Sequence, residues 1–240
     1  MRFVLIHGAF SGGWIWGPLA DELEASGHTV EAPDLPGGGQ DGTPVSEVTL
    51  DAYAARVCEV LRARAEPAIL AGHSMGGMAI TQAVPLCPER IASMIYIAAF
   101  LPQDGQSLIA LTQLPEGATD QVQANLIVEG DPPVATMTAE ASRAATFAHC
   151  SDERAAWALA SRTAQPVFPF TQPVALSGFD FAGIPRAYVH CTQDRAIPPP
   201  LQRRMFEAAG CDPVIELDTD HAPQLSRTAE LAEALDRLAA

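Results

Sequence analysis

Apolar residues in this chain follow two rhythms, and the rhythms alternate. Short runs rich in β-branched and aromatic side chains occur at FVLI (3–6), PAILA (67–71), SMIYIAAF (93–100), AYVHC (187–191) and VIELD (214–218). HTVEAPD (28–34) reads as a further strand, between two glycine-bearing turns. Runs of this length and composition are expected of buried strands. Between them the apolar positions recur at helical spacing. Residues 14–26 form one such stretch, stopped by Gly27; residues 50–65 place Leu50, Tyr53, Val57, Val60 and Leu61 on one face. Further helices are predicted over 76–87, over 199–209 and near 227–239.

Strands alternating with helices imply a parallel sheet covered on both faces, an α/β fold. The alternation lapses from 101 to 185, where Ala, Pro, Thr and Gln dominate and apolar groups such as Phe147, Trp157, Phe168 and Phe170 stand isolated. That stretch is too long for a loop in a compact domain. It predicts a mostly helical lid inserted before the last two strands, with residues 1–100 and 186–240 forming the core.

Length and charge narrow the possibilities. The 240 residues suffice for one large core. A formal net charge of −15 makes nucleic acid and anionic membrane poor partners. Every basic residue is arginine, so any mechanism that requires lysine is excluded. The 5 cysteines are scattered, with no CxxC pair. From them neither a disulfide framework nor a zinc site is expected, and no other metal site is predicted; a reducing cytoplasm fits. No stretch reaches the ~18 apolar residues of a membrane span.

Chemistry concentrates at AGHSMGG (71–77), between a strand and a helix. G-x-S-x-G in that context is a nucleophile elbow, a strained turn that lifts the serine hydroxyl above the sheet. Ser74 is therefore the candidate nucleophile. A serine needs a base, and the base needs a group to orient it, in the chain order serine, acid, histidine. His221 follows the last strand, at the carboxyl end where ligands gather in such sheets. His149 falls in the lid and His190 inside a strand. Asp194, just past AYVHC, is the leading acid and Asp104 the reserve; Asp218 and Asp220 are too near His221 in sequence and are expected to shape its loop. Acyl transfer also needs donors for an oxyanion. The residue after the nucleophile, Met75, offers one N–H, and Ala9 in HGAFSGGW (7–14) offers another. A dinucleotide site is rejected, because this loop spaces its glycines G-x-x-x-G-G rather than G-x-G-x-x-G.

FVLIHGAFSGGWIW, GHSMGG, AAFLP, HCTQDRAIP and DHAPQ, in this order, resemble the α/β-hydrolases grouped with plant methyl esterases of the salicylic acid-binding protein type and hydroxynitrile lyases. HAPQLS also resembles bacterial pyrethroid-hydrolysing carboxylesterases. The resemblance implies an α/β-hydrolase fold, a catalytic triad of Ser74, Asp194 and His221, and oxyanion donors Ala9 and Met75. It implies a cofactor-independent carboxylesterase acting on a small ester, and it admits a homodimer. The lyases carry threonine and lysine where this chain has Gly8 and Ala222, which disfavours cyanide release. A receptor-like, ligand-binding protein with little turnover is the other alternative. Phe10, Trp157, Phe168 and Phe170 are the candidate pocket walls. Few arginines converge on the site, so a neutral, fairly apolar ester is expected.

Overall fold

The computed structural model describes residues 1–239. The chain runs through β1 (Arg2–Ile6), α1 (Gly17–Ala25), β2 (Thr29–Glu31), α2 (Leu50–Arg62), β3 (Ala68–Ser74), α3 (Gly76–Ala83) and β4 (Ile91–Ala99). An insertion follows, with α4 (Leu108–Thr112), β5 (Ile127–Glu129), β6 (Val134–Thr136), α5 (Ala139–Thr146), α6 (Asp152–Ala160), β7 (Gln165–Pro166) and α7 (Phe168–Thr171). The chain then rejoins the sheet as β8 (Arg186–Cys191), α8 (Pro199–Ala209), β9 (Val214–Leu217), α9 (Pro223–Ser226) and α10 (Thr228–Ala239).

Six strands form one sheet in the order β2-β1-β3-β4-β8-β9, every neighbouring pair parallel. Alternation along a strand explains the two-layered core. Val4 and Ile6 pack into the cluster on one face of the sheet with Leu70 and Tyr96, while Phe3 and Leu5 pack into the other with Ile69 and Ile95. A strand buried on both faces must be apolar at every position, which is why these segments read as runs. Each such side chain contributes about 1.5–3 kcal/mol on burial.

Several predicted ends shift for local reasons. The helix expected from residue 14 begins at Gly17, with a 3-10 turn over Gly13–Trp16 before it. Pro18 then occupies the first turn, where its missing N–H costs nothing. It ends as expected, with Gly27 at φ +86°. The helix expected over 76–87 breaks at Ala83, just ahead of Pro85, and continues as a 3-10 turn.

One expectation is refined and one is corrected. The insertion carries a three-stranded antiparallel sheet, β5-β6-β7, besides its helices; its strands are two or three residues long, too short to leave a periodic signal. Cys58 on α2 and Cys87 after α3 form a disulfide, although 29 residues separate them and no sequence spacing marks the pair. Tertiary packing of α2 against α3 brings them together. The cysteine argument for a reducing compartment therefore falls. No described helix is long and apolar enough to cross a membrane.

Candidate active site

Because all six strands run the same way, the loops leaving β1, β3, β8 and β9 emerge at one edge. Ala9, Asp194 and His221 lie on the loops after β1, β8 and β9, and Ser74 is the last residue of β3. Ser74 ends β3 at φ +54°, a backbone conformation that non-glycine residues rarely adopt. The turn can be this tight because its neighbours lack Cβ atoms. A Cβ at Gly76 would lie 2.5 Å from the Ile6 carbonyl oxygen, and one at Gly72 would lie 2.8 Å from that of Gly76.

His221 and Asp194 meet directly. Asp194 Oδ2 accepts a 2.8 Å hydrogen bond from His221 Nδ1, which leaves Nε2 as the free ring nitrogen. The aspartate is itself held firmly. Its Oδ1 accepts the N–H groups of Ala196 (2.7 Å) and Ile197 (2.9 Å), and Oδ2 accepts Gln202 Nε2 at 2.9 Å. Burial pulls the His221 pKa down, but the adjacent Asp194 carboxylate outweighs it, helped by Asp220 and Asp120; the net position is above the ordinary histidine value. Of the other acids considered, Asp104 is occupied with the Leu176 N–H. Asp220 accepts from the His149 N–H and the Ser226 hydroxyl, and Asp218 accepts from Thr192 and Gln193. His190 lies on β8 beside Glu216 and Phe206.

Ser74, His221, Ala9 and Met75 all line one apolar-walled cavity. Among the described residues, no hydrogen bond is donated by the N–H of Ala9 or of Met75. Two neighbouring histidines brace the site as neutral imidazoles. Burial lowers the pKa of His7, whose Nε2 accepts from the Leu35 N–H (3.0 Å), so Nδ1 is the donor to the Gly8 carbonyl at 2.8 Å. Burial, and then His221, drives the pKa of His73 well below its usual value; its Nε2 donates to the His221 carbonyl at 2.7 Å.

The insertion closes the cavity and also grips the first loop. Phe10 stands at φ +62°. Its carbonyl accepts the Thr163 N–H (3.2 Å), and its N–H donates to Gln165 Oε1 at 3.3 Å.

Of the four predicted pocket aromatics, Phe10 and Phe170 line the cavity and meet edge to face. Trp157 and Phe168 do not. They remain 41% and 54% exposed, Trp157 packing its ring edge-on against Trp14. Few arginines were expected to converge on the site, and one does line the cavity, Arg162. So do Phe147 and Asp120. The Asp120 carboxyl is buried, which pushes its pKa up to about 6 against two backbone N–H bonds on Oδ1, from Val122 and Gln123. Nothing in the insertion's irregular pattern marked Asp120 or Arg162. Gln202 left a faint signal, a polar residue among Leu201, Met205 and Phe206 on the buried face of α8.

A model described as "Alpha/beta hydrolase family" matches residues 3–234, and the chain belongs to that family. "Salicylic acid-binding protein 2" of Nicotiana tabacum is 32% identical over 99% of this chain and 96% of its own. "Alpha-hydroxynitrile lyase" of Arabidopsis thaliana is 30% identical over 99% and 96%. The solved pyrethroid hydrolase from Sphingobium faniae JZ-2 superposes with a TM-score of 0.87 at 27% identity, covering 100% of this chain and 97% of that one. The chain is thus similar to proteins named for binding, for lyase activity and for hydrolysis, all on one fold.

Proposed function

We propose that this α/β-hydrolase cleaves carboxylic esters through an acyl-enzyme on Ser74. One observation carries the reading: a serine held at positive φ opens on the same cavity as a histidine whose far nitrogen is fixed by a buried aspartate. His221 Nε2 takes the Ser74 proton as Oγ attacks the ester carbonyl. The N–H groups of Ala9 and Met75 receive the oxyanion, and His221 returns the proton to the departing alcohol. Water, deprotonated in turn by His221, then releases the acid and restores the Ser74 hydroxyl. Asp194 holds the Nδ1–H tautomer throughout and stabilises the imidazolium. The segment 101–185 acts as the lid. No step calls for a cofactor.

Gly8 supports hydrolysis over cyanide release. A Cβ there would stand 2.7 Å from the Ser74 Cβ and 3.3 Å from its Oγ, so a larger side chain would crowd the nucleophile. Ala222, in the cavity wall, supplies no cation after His221.

Treatment with a fluorophosphonate, followed by peptide mapping, tests the proposal. A single adduct on Ser74 is expected, lost in His221→Ala, with turnover of phenyl acetate abolished in Ser74→Ala. Retained turnover in Ser74→Ala would overturn it, and cyanide release from mandelonitrile would move the protein to the lyases. A burst of one equivalent with tight product retention would favour a receptor.

A further inference from the structure

Arg162 brings to the cavity a charge that no described residue neutralises. It lies between α6 and β7 and lines the same cavity as Ser74 and His221. The ion pairs made by arginines elsewhere in the described chain leave it out. Its Nη1 is buried without a hydrogen-bond partner. Asp120, the other charged side chain in the cavity wall besides His221, forms no ion pair with it; Asp120 is tied instead to the backbone of 122–123.

The guanidinium carbon sits 4.5 Å from the centroid of the Phe10 ring. That contact uses the face of the cation and leaves the in-plane N–H groups of Nη1 unsatisfied. Burying a cation without a partner is unfavourable, and the cost shows in an Arg162 pKa lowered by burial to about 10. A planar fork of donors fits a carboxylate in two parallel hydrogen bonds. Phe10 directly follows Ala9, so an anion bound here lies within a short aliphatic or aryl spacer of the reacting carbonyl.

We propose that Arg162 is the recognition residue for a carboxylate carried by the substrate, so that the preferred esters pair an apolar body with a carboxylate remote from the scissile bond. Half-esters of dicarboxylic acids and acyl esters of hydroxybenzoic acids have this form. The proposal rests on the serine-esterase reading and narrows its carboxylic esters to anionic ones, in place of the neutral ester expected from the sequence.

Two matched pairs test it by phenol release: monophenyl adipate against phenyl hexanoate, and 4-acetoxybenzoate against its methyl ester. The first pair places the carboxylate on the acyl side, the second on the alcohol side. The native enzyme is expected to prefer the anionic member of at least one pair in kcat/KM. Arg162→Gln should reduce that preference about 10- to 100-fold, the range for a lost hydrogen-bonded charge, and Arg162→Lys should retain part of it. If Arg162→Gln does not fold, Arg162→Met, which keeps the stem against Phe10, replaces it. Titration of monophenyl adipate, phenyl hexanoate, 4-acetoxybenzoate and its methyl ester into Ser74→Ala, with and without the Arg162 change, reads recognition independently of turnover. No preference in either pair, or equal losses for all four esters, would overturn the proposal and leave Arg162 as packing for Phe10. Failure of fluorophosphonate to label Ser74 while the titration still shows carboxylate selectivity would instead reject the esterase reading and keep the recognition site.

Discussion

His73 Nε2 donates a 2.7 Å hydrogen bond to the backbone carbonyl of His221, so the residue beside Ser74 is a strut for the residue proposed as the base. Two chain segments 148 positions apart are joined there. Burial keeps His73 neutral, and a neutral imidazole donating from Nε2 suits this role.

Replacing His73 by Leu should therefore act on geometry. The His221 carbonyl is left buried and unpaired, a cost of about 1–3 kcal/mol. We expect a lower melting temperature and a kcat reduced roughly tenfold with little change in KM, as for a misplaced base. Unchanged kcat in a correctly folded variant would remove the strut.

Gln202 holds Asp194 from the other side. Its amide donates to Asp194 Oδ2 (2.9 Å) and to the Ile197 carbonyl (2.8 Å), and accepts the Cys191 N–H at 3.2 Å. Gln202→Leu leaves all three partners short of a bond in a fully buried place. Destabilisation of about 1–3 kcal/mol per unpaired group is the upper scale. Denaturant unfolding measures it, alongside a fall in kcat of about tenfold as Asp194 loosens. An unaltered unfolding midpoint would contradict this role.

The acid limb of the kcat/KM profile reports the base in the free enzyme. As the proposed base, His221 must be neutral to accept the Ser74 proton, and its pKa is raised, so activity should rise with pH through a midpoint above the ordinary ~6.5. Asp120 is one of the negative charges that raise it. Asp120→Asn removes that charge and should move the limb to lower pH. Its own carboxyl titrates near 6, so the native limb is a property of both groups together. A limb that stays put or moves upward in Asp120→Asn would count against the coupling.

The disulfide between Cys58 and Cys87 leaves Cys150, Cys191 and Cys211 as free thiols. Unfolded without reductant, the protein should titrate three thiols, and five after reduction. Five thiols before reduction would show that the bridge does not form. Closing a loop of this length is worth roughly 3–4 kcal/mol, so reduction should also lower the melting temperature measurably.

Some of this was legible in residue order alone, because its cause is local. The buried strands announce themselves as apolar runs, since a strand covered on both faces has no polar side to show. Gly72 and Gly76 around Ser74 betray the turn, because only residues without Cβ let backbone pass at these distances. Pocket aromatics were less legible: Phe10 and Phe170 reach the cavity while Trp157 and Phe168 face outward, a difference set by short elements in the insertion rather than by residue type. What residue order by itself determined was the α/β alternation, the serine turn and the candidates Asp194 and His221, each a consequence of neighbours along the chain. Which groups share one cavity was decided only by tertiary structure. The joining of Cys58 to Cys87, the strut from His73 to His221, the grip of Gln202 on Asp194 and the arrival of Asp120 and Arg162 in the cavity that Ser74 lines all depend on contacts between elements distant in sequence, where burial and geometry set the outcome and no periodicity records it.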